Sequence, residues 1–257
     1  MKFLKQLNIR REIRVTVALF AIASLIAFTD RKQGSWVCRN VVIELANENE
    51  NHFLDETDVL RLVNTGSNLT LIGTTMEKID LKQLEKKLEY DRHILNAEIF
   101  GDLKGNLVVR VELRRPIARI VRENAPDAYI AEDGTIMGVS EKYTSRVVLI
   151  SGSFTNKLVD AGNMYKLEEG KAIMEMMDYI NDERFWRSQV AQMDIDASGD
   201  ITIYPQVTGQ RIEFGKPENV DAKFNKLMIF YKEILPTRGW NKYARVNLKY
   251  EGQIVAE

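Results

Sequence analysis

The 257-residue sequence contains one cysteine, two histidines and five prolines. A single cysteine, Cys38, excludes an internal disulfide and any cysteine-based metal site. His52 and His93 are too few for a histidine-rich metal centre. Neither charge sign dominates, since 36 basic residues face 37 acidic ones and leave a net charge of -1. Without a basic field to hold phosphates, the charge balance argues against a dedicated nucleic-acid binder. There is no G-x-S-x-G motif and no Cys–His pairing placed for nucleophilic catalysis. Gly162, Gly170 and Lys171 lack the spacing and the Ser or Thr of a P-loop. Asp194, Asp196, Ser198 and Gly199 open like a calcium loop, but Pro205 stands where a bidentate Glu is required, so the stretch reads as a hairpin turn. Met174, Met176 and Met177 read as core filler. Carboxylates are abundant, and nothing marks a catalytic pair. The sequence predicts no catalytic residues, no metal, no cofactor and no small-molecule substrate.

What is present begins at the N-terminus. Lys2, Lys5, Arg10, Arg11 and Arg14 precede an uncharged run from Val15 to Thr29, which Asp30, Arg31 and Lys32 end. At 1.5 Å per residue the run covers about 22 Å of a hydrocarbon core of about 30 Å, and snorkelling of Arg14 and Lys32 narrows the gap. A cleaved signal peptide shares this pattern, but Ala21-Ile22-Ala23 lies inside the apolar run and no small-residue site follows it. The expected reading is a single transmembrane signal anchor over 15–32. A cytoplasmic tail of 1–14 would precede it by the positive-inside rule, and the bulk would lie in the periplasm. Residues 33–38 then form a tether, with Cys38 a free, dispensable thiol.

The exported part reads as α+β. Val41, Ile43 and Leu45 alternate as in a half-buried strand. Asp55 opens a helix ending near Gly66. Asp80, with Gln83 three residues on, caps a helix whose stripe is Leu81, Leu84 and Leu88. Ile94–Phe100 and the alternating Leu107, Val109, Val111 and Leu113 form a hairpin around Gly101 and Gly105. The order is β-α-α-β-β over residues 39–115. Pro116 begins a second domain, 116–257, expected as a mixed sheet carrying helices. Its elements are strands at 117–121, 128–131, 146–150, 190–195, 201–204 and 211–214, a helix over 166–182, and a helix from Pro217 that Pro236 and Gly239 end. The chain closes with strands Tyr243–Tyr250 and Gln253–Ala256. Pro116 restricts Arg115 to an extended shape and is expected to fix the angle between the domains, with Arg119 in a structural ion pair.

These pieces resemble the FtsQ/DivIB family of bacterial cell-division proteins. Arg115, Pro116, Ile117, Ala118 and Arg119 look like that family's P-I-A-R signature at its domain junction. Glu132 to Met137 and Val147 to Gly152 follow it in the family's order. Phe214-Gly215, Lys223 to Tyr231 and Val246 to Tyr250 resemble its strand–helix–strand finish. Gly138, where the family often has Pro, is a departure. The resemblance implies a POTRA domain followed by a β domain in a non-enzymatic divisome scaffold of the inner membrane, placed at the septum. It implies FtsB-like and FtsL-like bitopic partners, with FtsK a further one. Two other classes stand beside it. An outer-membrane assembly factor with POTRA domains would need a barrel for which about 140 residues after Pro116 are too few. A membrane-anchored periplasmic enzyme would need a catalytic set.

The strand Tyr243–Tyr250, as the last well-defined one, is expected at a sheet edge that a partner strand could extend, the alternative being a covered edge with Tyr250 in the core. The resemblance points to the same strand, with Lys249, Tyr250 and Gly252 at its end, as the FtsB-binding region, so the partner-binding residues would be Arg245, Val246, Asn247, Leu248, Lys249, Tyr250 and Gly252. Alternation sends Val246, Leu248 and Tyr250 to one face, to pack or to anchor a partner. Arg245, Asn247 and Lys249 go to the other, to meet an acidic segment.

Overall fold

The computed structural model describes residues 15–22, 24, 37–47, 52–65 and 70–257. The expected tail 1–14, most of the anchor and tether, and Gly66 lie outside these residues. Residues 15–22 and 24 are helical. Among the described residues no helix is long and apolar enough to cross a membrane.

The chain divides into two compact units. The first comprises residues up to 45, 56–90 and 96–111. Strands β1 (Asn40–Leu45), β2 (Ile94–Gly101) and β3 (Asn106–Leu113) form a sheet in the order β1-β3-β2, with β1 parallel to β3. The β2–β3 turn is built on Asp102, whose Oδ1 accepts from the amides of Lys104 (2.8 Å) and Asn106 (2.7 Å), with Gly105 at φ 86°. Leu107, Val109 and Val111 are buried, as their period-2 spacing predicts. Helix α1 (Glu56–Asn64) packs on β1 and on α2 (Leu81–Glu89). Asp80 caps α2 by accepting the Gln83 amide at 3.0 Å.

Cys38 is not in a tether. It is 1% exposed, its N–H donates to Thr74 O and its C=O accepts from Gly73, both at 2.8 Å. The apolar thiol is withdrawn from water, and burial pushes it above its ordinary pKa.

The second unit comprises 46–55, 91–95 and 112–257. Its strands are β4 (Pro116–Ile120), β5 (Ala128–Ala131), β6 (Ile136–Gly138), β7 (Val148–Ser151), β8 (Val190–Ile195), β9 (Ile201–Pro205), β10 (Arg211–Gly215), β11 (Arg245–Asn247) and β12 (Val255–Ala256). They make one mixed sheet in the order β12-β11-β10-β9-β8-β7-β4-β5-β6. The pairs β4/β7, β7/β8 and β10/β11 are parallel. Helices α3 (Thr155–Ala161), α4 (Glu168–Asp182), α5 (Arg184–Gln189), α6 (Val220–Ile229) and α7 (Leu235–Arg238) complete it. Ile173, Met174, Met176, Met177 and Ile180 of α4 join Phe224 and Leu227 of α6 over Ile150, Met193, Ile203, Phe214 and Val246 of the sheet. Phe224 stacks on Tyr179 at 5.0 Å and meets Phe214 at 5.2 Å.

Pro236 does not end the last long helix. A π-helical turn over Phe230–Ile234 precedes it, and α7 continues through Pro236 to Gly239 at φ 100°. The wide turn accommodates the proline, which lacks an N–H and would crowd the preceding carbonyl. Asp196 shapes the β8–β9 hairpin turn by accepting from the amides of Ser198 (2.8 Å) and Asp200 (3.0 Å).

The two edges of the large sheet differ. At β6, Ile136 N–H donates to Gly162 O at 3.1 Å, Arg92 Nη1 donates to Ile136 O at 3.1 Å, and His93 Nε2 lies 3.0 Å from Gly138 O. The other His93 ring nitrogen, Nδ1, lies 2.9 Å from Asp91 Oδ1, and the ring stacks on Phe53. At the other end the sheet terminates in β12, with no further strand beside it among the described residues.

Candidate partner-binding surface

The expected edge strand is shorter than its sequence pattern and is not an edge. Only Arg245–Asn247 is strand, and β12 covers it, pairing Val246 with Ala256 and Asn247 with Val255. On its other side β11 runs parallel to β10, with Ile212 opposite Val246 and Glu213 opposite Asn247. The closing strand expected at Gln253–Ala256 is present as Val255–Ala256, and what the sequence pattern did not state is that it pairs back on β11.

Arg245 N–H donates to Glu257 O (3.1 Å) and Glu257 N–H to Arg245 O (3.0 Å). These two residues form a hydrogen-bonded antiparallel pair. By alternation, the N–H and C=O of Ala256 then face away from β11, at the outer edge of the sheet. The bare edge is therefore β12.

Alternation along β11 holds at its centre. Val246 and Leu248 are fully buried in the helix-covered core. Arg245 and Asn247 face the other side, and both meet Glu213. Arg245 Nε and Nη2 donate to Glu213 Oε1 and Oε2 at 2.6 and 2.8 Å, a two-pronged fit, and Asn247 Nδ2 donates to Oε2 at 3.0 Å. Arg245 Nη1 also reaches Glu257 Oε2 at 3.3 Å. The Arg245 guanidinium holds the Glu213 carboxyl below the usual carboxylate range. Lys249 Nζ donates to Asp200 Oδ2 at 2.7 Å, and this bond raises the ammonium pKa and lowers that of the acid. The cations expected to wait for an acidic partner are thus occupied by Glu213, Glu257 and Asp200 of this chain. Glu213 stands between Ile212 and Phe214 with strand spacing, which marks its face; only the parallel register with β11 brings it under Arg245.

Beyond the strand the chain turns outward. Tyr250 is 52% exposed, not packed, because the strand has ended before it. Gly252 sits at φ 70° with open space around it, in the turn that leads to β12. Lys226 of α6 reaches into this turn and donates to Tyr250 O at 2.8 Å, Leu248 O at 3.3 Å and Gln253 O at 3.4 Å. Trp240, 47% exposed, lies in the segment after α7 and its ring is 6.2 Å from that of Tyr231.

The residues expected at the domain junction are structural. Pro116–Ile120 is β4, with Ile117 and Ala118 buried, and Arg115 C=O accepts from Glu132 N–H at 3.0 Å. Arg119 does make an ion pair. Its Nη2 and Nε donate to Asp127 Oδ2 at 2.7 and 2.9 Å, across the β4–β5 hairpin, and its guanidinium lies over the Tyr129 ring.

Comparison with known proteins gives two matches to family models. Residues 115–257 match the family described as FtsQ/DivIB, C-terminal related. Residues 36–112 match the POTRA-like domain. A curated relative, the cell division protein FtsQ of Syntrophotalea carbinolica, is 24% identical over 178 residues, which is 68% of this chain. The match spans 62% of that relative's own length.

Proposed function

We propose that this chain, which belongs to the FtsQ/DivIB family of cell-division proteins, acts as a non-catalytic scaffold of the divisome by adding a partner's strand to the β12 edge. The observation that carries the reading is that edge. By alternation Ala256, in the terminal strand, turns its N–H and C=O outward, and Tyr250 stands exposed on the adjoining turn. Main-chain bonds would give affinity and alternate side chains specificity. Internal pairing of Arg245 and Lys249 shifts the burden of recognition from charge to backbone and to Tyr250.

The partners are FtsB-like and FtsL-like bitopic proteins, with an FtsK-like protein a further one through the POTRA-like domain. The chain is a single-pass protein of the inner membrane, N-terminus in the cytoplasm and bulk in the periplasm, gathered at the septum. Exposed Val17, Leu19, Phe20 and Ile22 support the anchor, because they lie on all sides of a helix that water alone would solvate poorly.

Copurification from cells co-expressing the full-length chain with FtsB-like and FtsL-like proteins tests the reading. The wild type should retain both, and deletion of residues 253–257 should release them while the remaining chain stays folded by circular dichroism. Full retention by the folded deletion would remove β12 from the interaction. Reporter fusions after Lys32 should be active only in reporters that require the periplasm.

A further inference from the structure

We propose that Lys226 is a positioning residue for the partner-binding edge: its ammonium gathers three carbonyls of the turn after β11 and so holds β12 in register. The inference rests on reading β12 as the docking edge, but its first test does not. Leu248 O, Tyr250 O and Gln253 O, from three places in a six-residue stretch, converge on one nitrogen. An ammonium has three protons and no acceptor, so the three carbonyls match its full donor capacity. The stem of Lys226 rises from α6, whose neighbouring residues Phe224 and Leu227 are buried in the core. The cation is therefore mounted on a fixed element while the turn it holds carries an exposed tyrosine and a glycine at positive φ. Other restraints act at the two ends of that turn. Lys249 N–H donates to Asn247 Oδ1 at 2.9 Å and its Nζ to Asp200, Ile254 and Ala256 pack on the core, and the two-residue pairing of β12 is extended by the bonds of Glu257 to Ala244 and Arg245. A two-residue strand on such a turn has little stability of its own. The lysine supplies what the short strand lacks.

The consequence is local and can be read without a partner. The amides of Ala244, Arg245 and Glu257 bond across the β11–β12 pairing. Leu248 N–H donates to Glu213 O and Arg211 N–H to Ala244 O, across β10–β11. In the full-length chain in detergent, Lys226→Met should speed hydrogen exchange of the first set about tenfold, the size expected for loss of one charge-assisted bond, and leave the second set unchanged. Lys226→Arg keeps the charge but spreads its donors over a plane, and should restore only part of the protection. Unchanged exchange in Lys226→Met, or equal acceleration of both sets, would overturn the proposal. Full protection in Lys226→Arg would assign the effect to charge alone and overturn the three-carbonyl argument. A purified periplasmic segment of an FtsB-like protein should then bind Lys226→Met about tenfold more weakly than the wild type. If the wild type does not bind that segment, the docking reading fails, while the exchange data still judge Lys226.

Discussion

Ala256→Pro separates the outer edge of β12 from its inner one. Proline removes the amide that faces outward and leaves the Arg245–Glu257 pair untouched. The free protein should therefore keep its fold and its β11–β12 register. A partner strand would lose one main-chain bond, with a net value of about 0.5–1.5 kcal/mol, and its own carbonyl would be left unsatisfied at a cost of about 1–3 kcal/mol. The two figures overlap, and a total of about 1–3 kcal/mol raises Kd about 5- to 150-fold. The control is Val255→Pro. Val255 pairs with Asn247 inside the sheet, so that proline should detach β12 and accelerate exchange at Ala244 and Arg245. Isothermal calorimetry of the full-length chain with an FtsB-like periplasmic segment measures the first effect. Wild-type affinity in a folded Ala256→Pro protein would refute strand addition at β12.

Three other outcomes are expected. Gly152 sits at φ 103°, and a Cβ there would lie 2.2 Å from Ile195 O; Gly152→Ala should lose about 2–5 kcal/mol from backbone strain and overpacking, whereas Gly252→Ala, in open space, should lose about 1–2 kcal/mol, both read from denaturant midpoints. Burial alone would lower the His93 pKa, but the Asp91 carboxylate and Gly138 carbonyl outweigh it and raise it above 6.5. Its stabilisation is thus complete below pH 6.5 and is lost as pH rises through the folded-state value, so the melting-temperature gap between wild type and His93→Gln should shrink on going from pH 6 to pH 8. Cys38 should react with maleimide only after denaturation, and rapid labelling of the native protein would return it to an exposed tether.

The elements most legible in the sequence were those whose pattern is local. Leu107, Val109 and Val111 state their buried face by alternation, and Asp80 with Gln83 states a helix start. The helix over 220–229 was legible for the same reason. Short elements were not. α3 and α5 have seven and six residues, too few for a helical period to stand out. The partner surface failed for a different reason. Lys249 and Asp200 are 49 residues apart and Arg245 and Glu213 are 32 apart, so the pairing that occupies these cations exists only after the sheet has formed. Val246 and Leu248 were placed correctly because burial is periodic. Tyr250 was placed on the same face by extending that period past the point where the strand stops.

The unlike ends of the large sheet set its valence. A sheet with two bare ends can be lengthened from either, and copies of one molecule can join head to tail without closing. Here Gly162, Arg92 and His93 occupy the β6 end, so growth has a single direction. If a partner strand adds at β12, one molecule would accept one strand, and copies would not be expected to chain through their opposite ends. The accepted strand becomes the new terminus, and whatever stops further growth must be supplied by the partner. On the proposed strand addition, this geometry would count as well as bind: it would set a ratio of one to one at this contact before any affinity is considered.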